Sequence, residues 1–255
     1  MSRLEASGLG LTVNGRVLCR DLQIAFNTGE NWAILGANGS GKTTLLHALA
    51  GLRAPDTGRV LLDGTDLAAM APRALARQRG ILFQDSDVSL GASVMETVLS
   101  GRHPYLAPWQ WEDAADIRHA EQALTTMAMQ ACAARSVTTL SGGERRRVDI
   151  AALLAQDAPL CLLDEPLNHL DLRYQVQVLQ LLRERAQRPG HLNITVMHDI
   201  NLALRYCSHG LLLMEDGSSR HGRLETLLDV ALLEQIYGCP FTLIREDSRD
   251  FYIPA

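Results

Sequence analysis

The sequence has little cysteine and no long hydrophobic segment. Its five cysteines are scattered, odd in number and form no CxxC pair, so the sequence suggests neither a disulfide framework nor a zinc site. No apolar run approaches the roughly 18 residues that a membrane-spanning helix needs. The N-terminal residues carry no continuous apolar stretch of the kind found in secretory signals. These absences together favour a protein of the reducing cytoplasm.

Basic charge is scarce as well. The formal net charge of the 255 residues is −5, so no basic surplus predicts nucleic-acid binding. Apolar residues make up 47% and charged residues 21%, which is typical of a globular chain. The basic residues comprise 23 arginines and a single lysine, Lys42. A compact ammonium on a flexible stem enters a tight phosphate cradle that a planar guanidinium fits poorly, so Lys42 is a candidate phosphate ligand.

The residues around Lys42 match the pattern GxxxxGK[ST] between a predicted strand at 32–35 and a predicted helix at 43–50. Glycines let successive backbone N–H groups point at phosphate oxygens, and the helix adds the positive end of its dipole. Lys42 would neutralise the β- and γ-phosphates, and the Thr43 hydroxyl is placed for Mg²⁺. The candidate nucleotide-binding residues are Gly36, Ala37, Asn38, Gly39, Ser40, Gly41, Lys42, Thr43 and Thr44.

Short apolar runs separated by helix-like stretches predict an α/β fold with a mainly parallel sheet. The runs lie at 32–35, 81–83, 160–163, 194–197 and 211–214. Alternating apolar residues before position 32 predict an N-terminal antiparallel β layer. We predict one domain, with an α/β core, a helical insertion, and a small extension that contains a short helix and a hairpin at 241–244 and 251–253. The core covers residues 1–84 and 157–222, the insertion 85–156, with a helix near 112–129, and the extension 223–255.

Polar side chains follow three of the predicted parallel strands. Carboxyl ends of parallel strands meet at the crevice where ligands bind. Asp164 is a candidate ligand of Mg²⁺, and Glu165 is a candidate to polarise an attacking water. His198 could donate a hydrogen bond to the γ-phosphate, and the Gln84 amide could coordinate Mg²⁺ or the water. Lys42, Gln84, Glu165 and His198 form the predicted catalytic set.

A second glycine motif precedes a helix predicted at 145–156. It consists of Ser141, Gly142, Gly143 and Glu144. Ser141 and Glu144 have the spacing of a capping box, and the glycines leave backbone N–H groups open to an anion. An ordinary capped helix would explain this motif locally. A head-to-tail dimer also explains why a chain with one nucleotide loop has two helix N-termini that can bind phosphate.

The segments GANGSGKT, LSGGERRRVDIAALL, CLLDEP and MHD, in this order, resemble the ATP-binding cassette (ABC) ATPases. The resemblance covers roughly residues 5 to 220 and implies a P-loop NTPase (RecA-like) core that uses ATP and Mg²⁺. It implies that the Ser-Gly-Gly signature contacts the γ-phosphate in trans. It also makes Gln84 part of the Q-loop that faces a membrane partner, residues 168–171 the D-loop at the dimer seam, Glu165 the catalytic carboxylate and His198 the switch histidine.

Within that family, four features resemble the ATPases of type II importers for iron-siderophore, haem or cobalamin. They are residues 101–105, the Ala-rich helix downstream of them, the segment HDINLALRYCSHGLLL and residues 236–238. This implies a homodimer on permease subunits at the cytoplasmic face of the inner (cell) membrane, together with a periplasmic or extracellular binding protein. Two positions depart from the family pattern. Val13 stands where an aromatic residue usually stacks on adenine, and His169 stands in the D-loop where a small residue is common.

Three alternatives compete with this interpretation. A soluble ABC-type mechanical ATPase acting on ribosomes or DNA commonly carries two cassettes or long inserted coils, and this chain has neither. A small-molecule kinase would have no use for Ser141, Gly142 and Gly143. A regulatory subunit that only binds nucleotide would not need Glu165 and His198.

Overall fold

The structure is a computed structural model that describes residues 2–85, 91–247 and 249–255. The chain divides into two compact units, one formed by residues 1–70 with 180–255 and the other by residues 71–179. The described strands are β1 (Ser2–Val13), β2 (Arg16–Asn27), β3 (Asn31–Gly36), β4 (Thr57–Leu62), β5 (Thr65–Asp66), β6 (Arg79–Leu82), β7 (Leu160–Asp164), β8 (Leu192–Val196), β9 (His209–Leu213), β10 (Ser219–Arg223), β11 (Phe241–Glu246) and β12 (Arg249–Pro254).

The described α-helices are α1 (Lys42–Leu49), α2 (Pro72–Gln78), α3 (Val94–Leu99), α4 (Ala114–Thr126), α5 (Gly142–Gln156), α6 (Leu172–Ala186), α7 (Ile200–Tyr206), α8 (Leu224–Leu227) and α9 (Val230–Tyr237). Short 3₁₀ helices occupy Leu67–Ala69, Ser100–Tyr105, Gln130–Cys132 and Val137–Thr139.

The first unit combines an antiparallel layer with parallel strands. In the antiparallel layer β1 lies between β2 and β4, with Leu4 opposite Phe26 on one side and Leu62 on the other. All three side chains are almost fully buried. In the parallel part β3 lies between β8 and β9, and β10 pairs antiparallel with β9. The helix α1 packs against β3 and β8, which places its N-terminus at the end of β3.

The second unit is mainly helical. Its strands β6 and β7 pair in parallel. The long helix α5 packs against α3, α4 and β6 and forms the centre of the unit. An ion pair between Arg102 and Asp116, 2.9 Å apart, is almost fully buried, and Arg102 also donates to the carbonyl of Ala155. The segment 101–105, which suggests an importer subgroup in the sequence, therefore also has a structural task inside this unit.

The predicted fold class is confirmed, and so are the antiparallel layer and the C-terminal hairpin of β11 and β12. The described part of residues 85–156 contains helices and no named strand. The strand β4 was not predicted, because only its last three residues are apolar. Helix α5 begins at Gly142, three residues before its predicted start, because the capping box compensates two glycines in the first turn. Helix α4 ends at Thr126, and Ala128 follows with a φ of 53°, which α-helices do not accommodate.

Candidate functional site

The loop between β3 and α1 has the strand–loop–helix context that its sequence predicts. Thr43 and Thr44 lie in the first turn of α1, and Gly41 forms its N-cap with a φ of 94°. A Cβ atom at Gly41 would lie 2.9 Å from the Cβ of Leu18, so both the conformation and the space require glycine. The main chain thus approaches the antiparallel layer closely at the point where α1 begins.

The interior of this loop is polar. Lys42 is 6% exposed, and its ammonium donates to the carbonyls of Gly36 at 2.9 Å and Ala37 at 3.0 Å. The Ser40 hydroxyl is buried and makes no hydrogen bond within the described part of the chain. A buried hydroxyl without a partner costs about 1–3 kcal/mol. A phosphate oxygen would satisfy this hydroxyl and face the Lys42 ammonium, so the loop fits a phosphorylated ligand.

In the second unit the structure brings Glu165 and Gln84 together. Asp164 is the last residue of β7 and is buried, and Glu165 follows with a φ of 45°. The Glu165 Oε2 atom accepts hydrogen bonds from Asn168 Nδ2 at 2.6 Å and from Gln84 Nε2 at 3.4 Å. Two amides therefore fix a carboxylate whose backbone lies in the sparsely populated left-handed region. Asn168 was not predicted as a partner of Glu165.

Arg146 holds together the segments that contain Gln84 and Glu165. It lies on α5, is 4% exposed, and donates to five main-chain carbonyls. These acceptors belong to Phe83, Gln84, Asp164, Glu165 and Pro166. Burial lowers the pKa of this guanidinium, and nearby carboxylates, with Asp149 and Asp164 the largest contributors, oppose the shift.

The sequence analysis missed Arg146. Three consecutive arginines at 145–147 do not show which one is buried. The available signal is helical spacing, because Arg146 shares one face of α5 with Ile150 and Leu153. A guanidinium in the middle of an apolar face needs acceptors in the protein interior. The pattern thus marks Arg146 as a residue that organises its surroundings.

The signature corner is defined here as Ser141, Gly142 and Gly143 at the start of α5. The predicted capping box is present, with Ser141 N donating to Glu144 Oε2 at 2.9 Å and Glu144 N donating to the Ser141 hydroxyl at 3.3 Å. Hydrogen bonds from the Ser141 backbone and hydroxyl hold the pKa of the Glu144 carboxyl below its ordinary value. Ser141 and Gly142 are exposed. The corner therefore presents N–H groups of a helix N-terminus to its surroundings.

The segment 168–171 explains why the corner contains glycine. A Cβ atom at Gly143 would lie 2.7 Å from the carbonyl oxygen of His169, and one at Gly142 would lie 3.6 Å from the His169 Cβ. His169 itself has a φ of 64° and is exposed. Any side chain at Gly143 would push this backbone away. The corner and the 168–171 segment are thus one packed structure within the chain.

His198 lies in the first unit, between β8 and α7, and its side chain is exposed. The next residue, Asp199, caps α7 by accepting a hydrogen bond from Leu202 N at 2.8 Å. Among the residues that the structure describes, no group of three or more His, Cys, Asp or Glu side chains could hold a metal ion by itself.

Comparison with known proteins identifies this arrangement. A family model described as ABC transporter matches residues 19–168, more than half of the chain. The chain belongs to the ABC transporter family. This ABC chain is 38% identical over 241 residues to the achromobactin transport ATP-binding protein of Dickeya dadantii, a match that covers 93% of this chain and 88% of the relative. It is 37% identical over 243 residues to the ferric enterobactin transport ATP-binding protein of Escherichia coli, with the same coverage.

A solved structure agrees with these relatives. An ABC transporter described as being of the metal-chelate type, in an inward-facing conformation, superposes with a TM-score of 0.85 at 27% identity, covering 100% of this chain and 98% of that one. The predicted resemblance to the ATPases of iron-siderophore, haem or cobalamin importers is confirmed. The chain is an ABC ATPase that binds ATP, as its sequence predicts. No described helix has the length and apolar character needed to cross a membrane.

Proposed function

We propose that this ABC ATPase works as a head-to-tail homodimer that powers a permease importing a metal chelate. The exposed signature corner carries this proposal. It offers helix N-terminal N–H groups, and the packing of His169 against Gly143 leaves no room for a side chain at that position. A second chain that presents its own nucleotide to this corner would give the corner a ligand, and two-fold symmetry would produce two equal sites.

The nucleotide is held first by the phosphate loop. The ammonium of Lys42 contacts the β- and γ-phosphates, and the buried hydroxyl of Ser40 takes one phosphate oxygen as its missing partner. The remaining residues of 36–44 contribute backbone N–H groups. Thr43, Asp164 and Gln84 would hold Mg²⁺, which neutralises charge on the transferred phosphate when it is bound.

Hydrolysis then depends on Glu165. Its carboxylate orients a water molecule and withdraws a proton while the water oxygen attacks the γ-phosphorus and the bond to the β-phosphate oxygen breaks. Asn168 and Gln84 hold the carboxylate during this step. His198 donates a hydrogen bond to the γ-phosphate. ADP and inorganic phosphate leave, and without the γ-phosphate the contact with the signature corner of the partner is lost.

The names of the relatives support the proposed cargo and membrane partner. The names of the two relatives above refer to the transport of achromobactin and of ferric enterobactin, and the superposed transporter is described as of the metal-chelate type. We therefore assign a metal chelate as cargo, a permease as the membrane partner, a periplasmic or extracellular substrate-binding protein, and a position at the cytoplasmic face of the cell membrane.

A capture experiment distinguishes this function from that of a soluble mechanical ATPase. The tagged chain is purified from gently solubilised membranes and from the ribosomal fraction of its own cells. We expect a stoichiometric polytopic membrane protein in the first sample, and its reconstitution with the chain in liposomes should give ATP-dependent uptake of a ferric siderophore. Stoichiometric recovery of ribosomal proteins, without a membrane partner, would refute transport coupling.

Substitution of Ser141 by Arg tests the trans contact. A bulky cation at the exposed N-cap should fill the space of the partner's nucleotide, so we expect no ATP-dependent dimer and ATP hydrolysis reduced by about 10²-fold or more. Gel filtration with ATP and a phosphate-release assay provide the two measurements. Gln122→Arg, on the exposed face of α4, adds the same side chain elsewhere in the unit and should leave both unchanged. Normal dimers of Ser141→Arg would contradict the trans contact.

Val13 offers a gain-of-affinity test. It ends β1 in the place where the family usually has an adenine-stacking aromatic residue. A base stacked on an aromatic ring is stabilised by about 1–3 kcal/mol, so Val13→Tyr should tighten ATP binding by roughly 5- to 150-fold. Fluorescence titration with a labelled ATP analogue measures this change, and Val13→Leu is the control of similar bulk without a ring. Equal affinities of the Tyr and Leu variants would show that adenine does not bind beside residue 13.

A further inference from the structure

A cleft of about 630 Å³ opens in the first unit beside the C-terminal hairpin. It is lined by residues of the second half of α6, of α7, of α8 and of β12. Its volume lies within the range of about 300–1,000 Å³ that is typical of small-molecule sites. The cleft shares no residue with the phosphate loop, the signature corner or the catalytic set. The nucleotide site described above therefore does not account for this cleft.

Arginine dominates the charge of the cleft. Arg183, Arg205 and Arg249 line it together with two carboxylates, Glu225 and Asp250. Asp250 is already paired with Arg245, at 3.1 Å, which is not part of the lining. One carboxylate is thus left against three guanidinium groups. The local charge is positive in a chain whose formal net charge is −5.

The cleft arginines are available for a ligand. In the parts of the chain that the structure describes, the guanidinium groups of Arg183 and Arg249 make neither a side-chain hydrogen bond nor an ion pair. Arg205 lies over the ring of Tyr206, with 5.5 Å between its Cζ and the ring centroid. Guanidinium groups bind carboxylate and phosphate oxygens through paired N–H donors. Phe251 and Leu204 add carbon surface to the same lining, which favours an organic anion over a bare inorganic ion.

Asn201 links the cleft to the helix that follows His198. Its Oδ1 accepts a hydrogen bond from Tyr252 N at 2.9 Å, and its Nδ2 donates to Tyr252 O at 3.0 Å. The Asn201 side chain therefore forms two hydrogen bonds with the main chain of β12, as a neighbouring strand would. The Tyr252 hydroxyl donates to the carbonyl of Leu228 at 2.8 Å, which gives the hairpin a second attachment to the unit. A ligand that contacts both β12 and α7 would therefore also stabilise the start of α7, which lies two residues after His198.

We propose that this cleft binds a small organic anion with at least two negative charges, a phosphorylated or polycarboxylate metabolite, and that the bound anion stabilises α7 behind His198. The site would let the ATPase respond to the metabolic state of the cell. This inference is independent of the cargo and of the homodimer, so its failure would leave the proposed function intact.

Isothermal titration calorimetry tests the binding site with two probes, citrate for polycarboxylates and pyrophosphate for phosphorylated ligands. The titrations use the full chain in Mg²⁺-free buffer of low ionic strength, with saturating ADP to fill the phosphate loop. We expect single-site binding of at least one probe that weakens at least about tenfold in Arg205→Ala and in Arg249→Ala. Arg220→Ala removes an exposed arginine of β10 outside the cleft and should leave the affinity unchanged.

The probes also identify the source of the ligand. Binding of citrate alone assigns a polycarboxylate, binding of pyrophosphate alone assigns a phosphorylated compound, and binding of both assigns a site for either. Absence of binding, or equal weakening in Arg220→Ala, would overturn the site. Hydrogen exchange at residues 200–206 should slow when the probe binds to the unaltered chain, and unchanged exchange despite binding would overturn the coupling to α7.

Discussion

Glu165→Gln should bind ATP with nearly unchanged affinity and hydrolyse it about 10²- to 10⁴-fold more slowly. The amide keeps the size of the side chain, so the hydrogen bond from Asn168 at 2.6 Å has an oxygen to reach. The variant loses the negative charge that withdraws a proton from water. Since ATP is then bound and not cleaved, the variant should accumulate as an ATP-bound dimer. Phosphate release in single-turnover conditions measures the chemical step, and gel filtration with ATP measures the dimer.

Two comparisons make the Glu165 result specific. Glu121→Gln removes a carboxylate from the exposed face of α4 in the same unit and should leave turnover unchanged. Asn168→Ala leaves the carboxylate in place but removes its shortest hydrogen bond, so we expect an intermediate loss of turnover with the dimer retained only briefly. Turnover of Glu165→Gln close to that of the unaltered chain would remove Glu165 from the chemistry.

Arg146→Ala should lower the free energy of unfolding by about 3–5 kcal/mol and abolish hydrolysis. The substitution leaves main-chain carbonyls of Phe83, Gln84, Asp164, Glu165 and Pro166 without their shared donor. Each buried acceptor left unpaired costs about 1–3 kcal/mol, and relaxation and water recover part of the sum. Urea unfolding followed by circular dichroism gives the stability difference.

The controls for Arg146 separate charge from geometry. Arg118→Ala removes an exposed arginine of α4 and should change stability by no more than about 0.5 kcal/mol. Arg146→Lys keeps the positive charge but has one ammonium in place of a planar fork. It should therefore recover only part of the lost stability, with turnover well below that of the unaltered chain. A fully active and stable Arg146→Ala would show that Arg146 does not organise the segments around Gln84 and Glu165.

The sequence predicted those features that depend on residues close together in the chain. The GxxxxGK[ST] pattern placed a glycine loop between a strand and a helix, and the spacing of Ser141 and Glu144 predicted a capping box, both of which the structure contains. The parallel strands followed from apolar runs. Strand ends shifted by one or two residues, as for β8 and β9, because the apolar runs do not coincide with the hydrogen-bonded segments.

The remainder depends on residues that are far apart in the chain. Arg146 reaches carbonyls 18 to 63 positions away, and no local pattern shows that these acceptors surround it. The close approach of His169 to Gly143 likewise arises only when two segments pack. The arginine-lined cleft gathers residues from both α6 and β12. The catalytic and metal-binding roles given to the site residues remain predictions, and the Glu165 variant tests the central catalytic one.

A crystal structure of Glu165→Gln with ATP and Mg²⁺ tests the shared nucleotide site most directly. We predict a two-fold dimer in which the γ-phosphate held by Lys42 of one chain lies within about 3 Å of the Ser141 hydroxyl of the other. The N–H groups of Gly142 and Gly143 should point at the same phosphate. A nucleotide contacted only by its own chain, with both signature corners facing solvent, would contradict the proposed dimer.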